Sequence, residues 1–416
     1  MLRRAFTLLA AACALAACAA RPDPYAYNRP GAITAPAQPP GGPPAGRAGE
    51  RVAVLLPLTG TNAEVGQAML RAVQLAFRDP AAPQLDPRDT GGTPAGAAAA
   101  ARAAIEGGAG ILLGPLTAQE TAAVAPVARA VGLPVLAFTS DQAQAQPGVW
   151  PLGITPAQQA RRLVQAAQAE GRTRFAAVVP ENPFGNALTD GLLSGTGPYP
   201  PRVERYAGGF PGLNAALRRV ADYDNRRGAI EARQRARRTT PDALYEPAPA
   251  PIPGEDTVPP PPFDTLLLGA SGEQLAQAVP LLAAYDIGPQ QARILGPALW
   301  AREAGRLGAL SGAWYAAPDP AARAGFEQLY ATTYGAPARE LASLAFDAGG
   351  IARAAWDGRG FPTGAMVRPE GFLGADGLLA LSPDGGVRRG LAIFEIDRAG
   401  PRVVQPAPQS FDASGV

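Results

Sequence analysis

The side chains able to do chemistry in this sequence are carboxylates, hydroxyls and guanidiniums. Histidine is absent, and all 37 basic residues are arginine because no lysine occurs anywhere. That excludes a Ser-His-Asp triad, a histidine base, a Schiff-base lysine and a phosphate-loop lysine. The two cysteines, Cys13 and Cys18, both stand near the N-terminus. Neither a zinc cluster nor a disulfide framework can be built from them, and no cofactor or metal is implied. Paired carboxylates remain, with Asp141, Glu181 and Asp347 as candidates for acids facing a cleft. Each has a plainer reading, as a cap, a turn residue and a helix-surface residue respectively. Those readings outweigh catalysis, so the expectation is a protein that is not an enzyme.

For binding, the first candidate is the loop Leu58-Thr59-Gly60. It sits between a short apolar run (Val52, Val54, Leu55, Leu56) and a helical pattern carried by Val65, Met69, Ala72, Val73, Ala76 and Phe77. A strand feeding a helix is the first half of a βαβ unit, and such loops are where open parallel sheets bind small ligands. Thr61 or Asn62 caps the helix that follows.

The elements that would position such a loop repeat along the chain. Strands are expected at Gln84–Arg88, Ile111–Leu113, Pro134–Phe138, Phe175–Val179, Val203–Tyr206, Thr265–Leu268, Arg293–Leu295, Gly312–Ala316 and Leu391–Ile396. Helical patterns lie between them, including Pro94–Glu106, Pro156–Glu170, Glu273–Tyr285, Ala321–Tyr334 and Leu341–Trp356; the helix before Pro134 carries Val124, Val127 and Val131 as its apolar stripe. Strands alternating with helices predict an α/β fold with parallel sheets and right-handed crossovers. At 416 residues the chain exceeds one ordinary core, so two lobes are expected.

The ends and one insertion stand apart. Residues 1–18 read as a secretory signal: Arg3 and Arg4, then an apolar run too short to span a bilayer, then Leu15-Ala16-Ala17-Cys18. That ending resembles a bacterial lipobox, in which Cys18 is lipidated. Residues 19–50 are a Pro/Ala-rich tether. The formal charge of +2 falls to about zero once Arg3 and Arg4 leave, which gives no case for nucleic-acid binding. Residues 222–262 form an arginine-rich and then proline-rich insertion, which reads as a solvated face and an exposed loop, with docking on an acidic partner as the sharper alternative.

VAVLLPLTG with GQAML, and GAGILLGPLTAQETAAVAPVARAVGLPVLAFTSD, resemble the type I periplasmic-binding-protein fold of the leucine/isoleucine/valine-binding type. Together with the lipobox, the tether and LLLGASGEQLAQAVPLLAAYDI, they look most like the penicillin-binding protein activator lipoproteins. The resemblance implies two Rossmann-like lobes with parallel sheets joined by a three-crossing hinge, within a leucine-binding-protein-like domain over 51–400. The first lobe would take about 51–150 and 317–357, the second about 151–316 and the C-terminal part. It also implies ligand contacts at Leu116, Thr117, Phe138, Thr139 and Ser140 after first-lobe strands, and at Phe184 in the second lobe. For Thr117 a helix N-cap is at least as good a reading, and for Thr139 and Ser140 turn chemistry.

Two departures count against binding of a free amino acid. Phe184 stands where the amino-acid binders place an aromatic hydroxyl, and Gly296-Pro297-Ala298-Leu299 stands where they place an acid for the ligand's ammonium. The resemblance therefore implies a non-enzymatic periplasmic lipoprotein, held to the outer membrane in preference to the inner, that regulates peptidoglycan synthesis by contact with a peptidoglycan synthase. The alternative is the substrate-binding protein of an ABC importer for branched-chain amino acids or related small solutes.

Overall fold

A computed structural model describes residues 49–198, 200–239, 258–303 and 308–411. Cys18, the leader at 1–18, most of the tether and residues 240–257 of the insertion lie outside the described residues.

The chain begins with β1 (Arg51–Leu56), α1 (Ala63–Ala76), β2 (Leu85–Asp89), α2 (Pro94–Glu106), β3 (Ala109–Leu113), α3 (Ala118–Arg129), β4 (Val135–Ala137) and β5 (Val149–Pro151). These strands form one five-stranded parallel sheet in the order β2-β1-β3-β4-β5. Alternation along β1 explains its apolar run. Val52, Val54 and Leu56 pack into a core with Met69 and Val73 of α1, while Ala53 and Leu55 face Ala97, Ala101 and Val124 of α2 and α3. A strand buried on both faces has no polar side to show in sequence.

The second sheet follows from α4 (Pro156–Ala169), β6 (Phe175–Pro180), α5 (Pro183–Thr196), β7 (Arg202–Tyr206), α6 (Phe210–Val220), α7 (Tyr223–Thr239), β8 (Thr265–Leu268), α8 (Glu273–Ala284), β9 (Arg293–Gly296) and β10 (Trp314–Ala317). The chain then runs through α9 (Pro320–Tyr334), α10 (Ala342–Ala355), α11 (Thr363–Met366) and the antiparallel strands β11 (Phe372–Gly374), β12 (Gly377–Leu381) and β13 (Val387–Arg389). It ends in β14 (Ala392–Asp397) and β15 (Gly400–Gln405), which complete a seven-stranded sheet ordered β15-β14-β10-β9-β8-β6-β7. That sheet is parallel except where β14 joins β10 and β15 joins β14.

The cores show where the chain changes lobe. Phe326 and Tyr330 of α9, Leu344 and Ile351 of α10, and Leu379 of β12 all pack into the core of the first sheet. Leu163 and Val164 of α4, Leu188 of α5 and Ile393 of β14 pack on the second. The chain therefore crosses between lobes after β5, after β10 and after β13, and the α/β fold has two lobes joined by three crossings.

Three local expectations change. Val131 is half exposed, because α3 ends at Arg129 and the turn at Gly132, with φ +72°, sends Leu133 back onto the core in its place. Arg226 on α7 does not sit on a solvated face: it is 6% exposed and donates to the carbonyls of Pro259, Ala221 and Tyr285. Asp347 does not lie on a helix surface but is buried. Among the described residues, no helix is long and apolar enough to cross a membrane.

Candidate functional site

A cavity of about 890 Å³ lies between the lobes. From the first lobe it is lined by Leu116 ahead of α3 and by Phe138, Thr139 and Ser140 beyond β4; from the second by Phe184 at the start of α5. These five expected residues thus come together from two loops and the start of one helix. The two first-lobe loops follow β3 and β4, neighbours in the parallel sheet, and Phe184 comes from the helix after β6 in the other lobe.

Leu58, Thr59, Gly60 and Thr117 do not line this cavity, and hydrogen bonding explains why. The Thr59 hydroxyl donates to Asp89 Oδ2 at 2.6 Å, and the Leu58 amide donates to Asp89 Oδ1 at 2.8 Å. Asp89, at the end of β2, thereby pins the loop against the sheet, and the Thr59 hydrogen bond, with help from backbone amides, holds its carboxyl below the usual carboxylate range. Thr117 is the N-cap of α3, in a reciprocal box with Glu120: the Glu120 amide donates to Thr117 Oγ1 at 3.2 Å, and the Thr117 amide to Glu120 Oε2 at 3.0 Å. Glu120 is itself buried and accepts from Thr90 Oγ1 at 2.6 Å, so the hydroxyl of Thr117 is committed to structure.

The carboxylate candidates stay apart. Asp141 caps a single 3₁₀ turn by accepting from the Ala143 amide at 3.1 Å, and Glu181 is exposed. Neither they nor Asp347 line the cavity.

Several lining residues had no signal in the sequence. Tyr315 of β10 is 2% exposed and stacks on Phe394 of β14, ring centroids 4.9 Å apart and 4° from parallel. Burial pushes its phenol up to about 12, and its hydroxyl makes no hydrogen bond among the described residues. Arg323 of α9 donates from Nε to Asp376 Oδ1 at 2.9 Å, and Ser343 Oγ donates to Asp376 Oδ2 at 2.9 Å. Burial alone would depress Arg323, but the charge and hydrogen bond of Asp376 outweigh it and leave the guanidinium raised. The one buried acid on the cavity wall, Asp376, is therefore already neutralised. The cavity's other carboxylates, Glu327 and Glu340, are exposed at its rim.

Behind the second-lobe wall, position 296 has no room for a side chain. The ring of Trp300 lies on Gly296, where a Cβ would meet ring atoms at 2.3–2.4 Å, and Trp300 Nε1 donates to the Ala270 carbonyl at 2.8 Å. Ala298 and Leu299 face the cavity instead, the Ala298 amide donating to Gln159 Oε1 at 2.9 Å. At the mouth, Arg302 beyond β9 meets Glu340 ahead of α10 at 2.6 Å, an exposed ion pair that crosses between lobes.

Behind the cavity, Asp347 of α10 and Arg389 of β13 form a fully buried ion pair at 3.2 Å, and Arg389 also donates to the Leu152 carbonyl in the first crossing at 2.7 Å. Burial, with the nearby charge of Asp376, pushes the Asp347 carboxyl up to about 7, while Arg389 and the Ala375 amide pull it back. The arrangement offers an apolar cavity with guanidiniums and hydroxyls and, among the described residues, no free buried anion.

Residues 50–194 match the model of the periplasmic binding protein family. Among curated protein sequences none matches the chain. A protein assigned to branched-chain amino acid ABC transport in Rhodospirillum rubrum superposes with a TM-score of 0.65 at 17% identity, over 86% of this chain and 100% of that one. Full-length LpoA from Haemophilus influenzae gives a TM-score of 0.61 at 15% identity over 87% of this chain, which spans 60% of that protein. The C-domain of the same LpoA, described as a regulator of PBP1A, gives 0.56 at 14% identity, over 85% of this chain and 99% of the domain. The shared feature is the two-lobed periplasmic-binding-protein fold.

Proposed function

From the premise of a two-lobed periplasmic-binding-protein fold, we propose that this chain is a non-enzymatic lipoprotein of the periplasm, anchored through Cys18, that regulates peptidoglycan synthesis by contact with a peptidoglycan synthase. The observation that carries the proposal is that the one buried acid among the described cavity-lining residues, Asp376, is already held by Arg323 and Ser343. An ammonium held in this cavity would need a buried counter-charge, and leaving it unpaired costs several kcal/mol. Trp300 excludes a side chain at 296, and Asp376 is taken by Arg323 and Ser343. A cleft poorly suited to an ammonium favours the outer surface of the lobes as the working part. The likeness to the LpoA C-domain along nearly its whole length supports the same reading, as do the lipobox and the 19–50 tether.

The outer membrane is the favoured site of the anchor, the tether giving reach toward a synthase. Cross-linking in intact cells, followed by identification of partners, tests the proposal. Recovery of a peptidoglycan synthase is the expected result; recovery of an importer's membrane subunits with no synthase would overturn it.

One observation favours a second reading, the substrate-binding protein of an ABC importer. The cavity is roomy, and Tyr315 lines it with no hydrogen bond to its hydroxyl among the described residues. Its ligand would be an apolar small solute without an ammonium group, in place of a branched-chain amino acid.

A further inference from the structure

The chain crosses covalently between the lobes three times, and the segment after β15 adds a link that is not covalent. β15 ends at Gln405 in the second-lobe sheet, and Pro406-Ala407-Pro408-Gln409-Ser410-Phe411 runs on from it. Ala407 is 3% exposed and packs in the second-lobe core with Tyr315, Ala392 and Phe394. Its amide donates to Asp319 Oδ2 at 3.1 Å. Asp319 is buried in the second crossing, and its Oδ1 accepts from the Ala321 amide at 2.9 Å, which caps α9. One carboxylate therefore holds both this segment and the start of a helix that belongs to the first lobe.

The segment next meets the third crossing. Gly390 lies between β13 and β14, and its amide donates to the carbonyl of Leu378 in β12 at 2.8 Å. A Cβ at 390 would meet the Pro408 ring at 3.0 and 3.2 Å, so Pro408 is seated on a position that a side chain would crowd. Beyond it, Ser410 and Phe411 line a crevice with Gln165 of α4 from the second lobe and Val387 of β13 from the first. At the base of the segment, Arg162 of α4 donates to Gln405 Oε1 at 3.2 Å and to the Leu391 carbonyl of the third crossing at 2.9 Å.

We propose that residues 406–411 are a strap that fixes the angle between the lobes. Rotation about the hinge carries α9 and β12 with the first lobe and β15 with the second, so it must shear the contacts at Asp319 and Gly390. Releasing Ala407 would strip a donor from a buried carboxylate oxygen, which is costly. Pro406 and Pro408 hold φ near −65° on either side of Ala407, so the strap loses little chain entropy when it is seated. A fixed angle gives the outer surface of the lobes one shape and the cavity one width, whichever partner or solute uses them.

The test is the distance between spin labels at Arg102→Cys on α2 and Asp190→Cys on α5, both exposed and in different lobes, in a Cys13→Ser/Cys18→Ser background. Pulsed electron resonance of the otherwise full chain should give one narrow distance distribution. Removing residues 406–416 should make that distribution about twofold wider or more. Ala407→Asp, which sets a second carboxylate against Asp319, should widen it as much in a chain of full length. Pro406→Gly/Pro408→Gly leaves Ala407 in its core and should give an intermediate width. A parental distribution in the truncated chain, with its unfolding still cooperative, overturns the proposal, as does a parent already as broad as the variants. Where truncation or Ala407→Asp prevents folding, the double glycine variant decides on the same readout, and a parental width there overturns the strap.

Discussion

Trp300 lies so close on Gly296 that no other residue fits at 296: a Cβ there would meet the indole at 2.3–2.4 Å. An acid for an ammonium is absent from Gly296-Pro297-Ala298-Leu299, and at 296 the packing bars one. Gly296→Asp should therefore fail to create an amino-acid site. Overpacking costs about 1–3 kcal/mol, and burying an unpaired carboxylate adds to it. Urea unfolding would report the loss; a parental midpoint together with new leucine binding would contradict this account of the wall.

Arg389 neutralises Asp347 in a pair with no exposure on either side chain. Removing one partner of such a pair costs about 3–5 kcal/mol, so Arg389→Gln should be strongly destabilised. The carboxyl of Asp347 stands near 7 when folded, above the unfolded value of 3.8. Its contribution to stability is therefore fully present below about 4 and is lost as pH rises through about 7. Without Arg389 the carboxylate form is worse still, so the variant's deficit should be larger at pH 8 than at pH 5. Thermal unfolding at the two pH values checks the sign, and an equal deficit at both would refute it.

The elements were legible in the sequence where burial was one-sided in kind. Thr265–Leu268 and Pro94–Glu106 are found at the expected residues, because an apolar run between breakers and an alanine-rich stretch behind Pro94 each admit one structure. β15 was not legible: it is an exposed edge strand containing Pro401 and Arg402. Of the cavity, the residues after β3 and β4 were implied by the resemblance to the leucine-binding type, carried by motifs at those strand ends. Arg323, Asp376 and Tyr315 were not, since their meeting depends on crossings that no local pattern encodes. Thr59 and Thr117 carried the right chemistry but are spent on Asp89 and Glu120.

The Arg302–Glu340 pair joins the lobes across the cavity mouth, with both side chains about seven-tenths exposed. Exposed pairs contribute about 0–1 kcal/mol, so a double-mutant cycle with Arg302→Ser and Glu340→Gln should give a coupling energy within that range, shrinking further in 0.5 M salt. A coupling above about 2 kcal/mol would mean that this pair fixes the lobe angle.

The hydroxyl of Tyr315 has no partner to lose among the described residues, so Tyr315→Phe should leave the unfolding free energy unchanged within about 0.5 kcal/mol. If the importer reading holds and a solute screen finds a ligand, the same change should weaken it by about 2–10-fold, the worth of one hydrogen bond. A large destabilisation would show that the hydroxyl is structural.

The central claim is regulation by contact, and it is tested most directly by glycan-strand synthesis with a purified peptidoglycan synthase from the same cell. Adding the folded, lipid-anchored protein should raise the rate of synthesis, with a dose dependence that saturates near one protein per synthase. An unchanged rate at saturating concentration, with folding verified by its thermal transition, would contradict the claim.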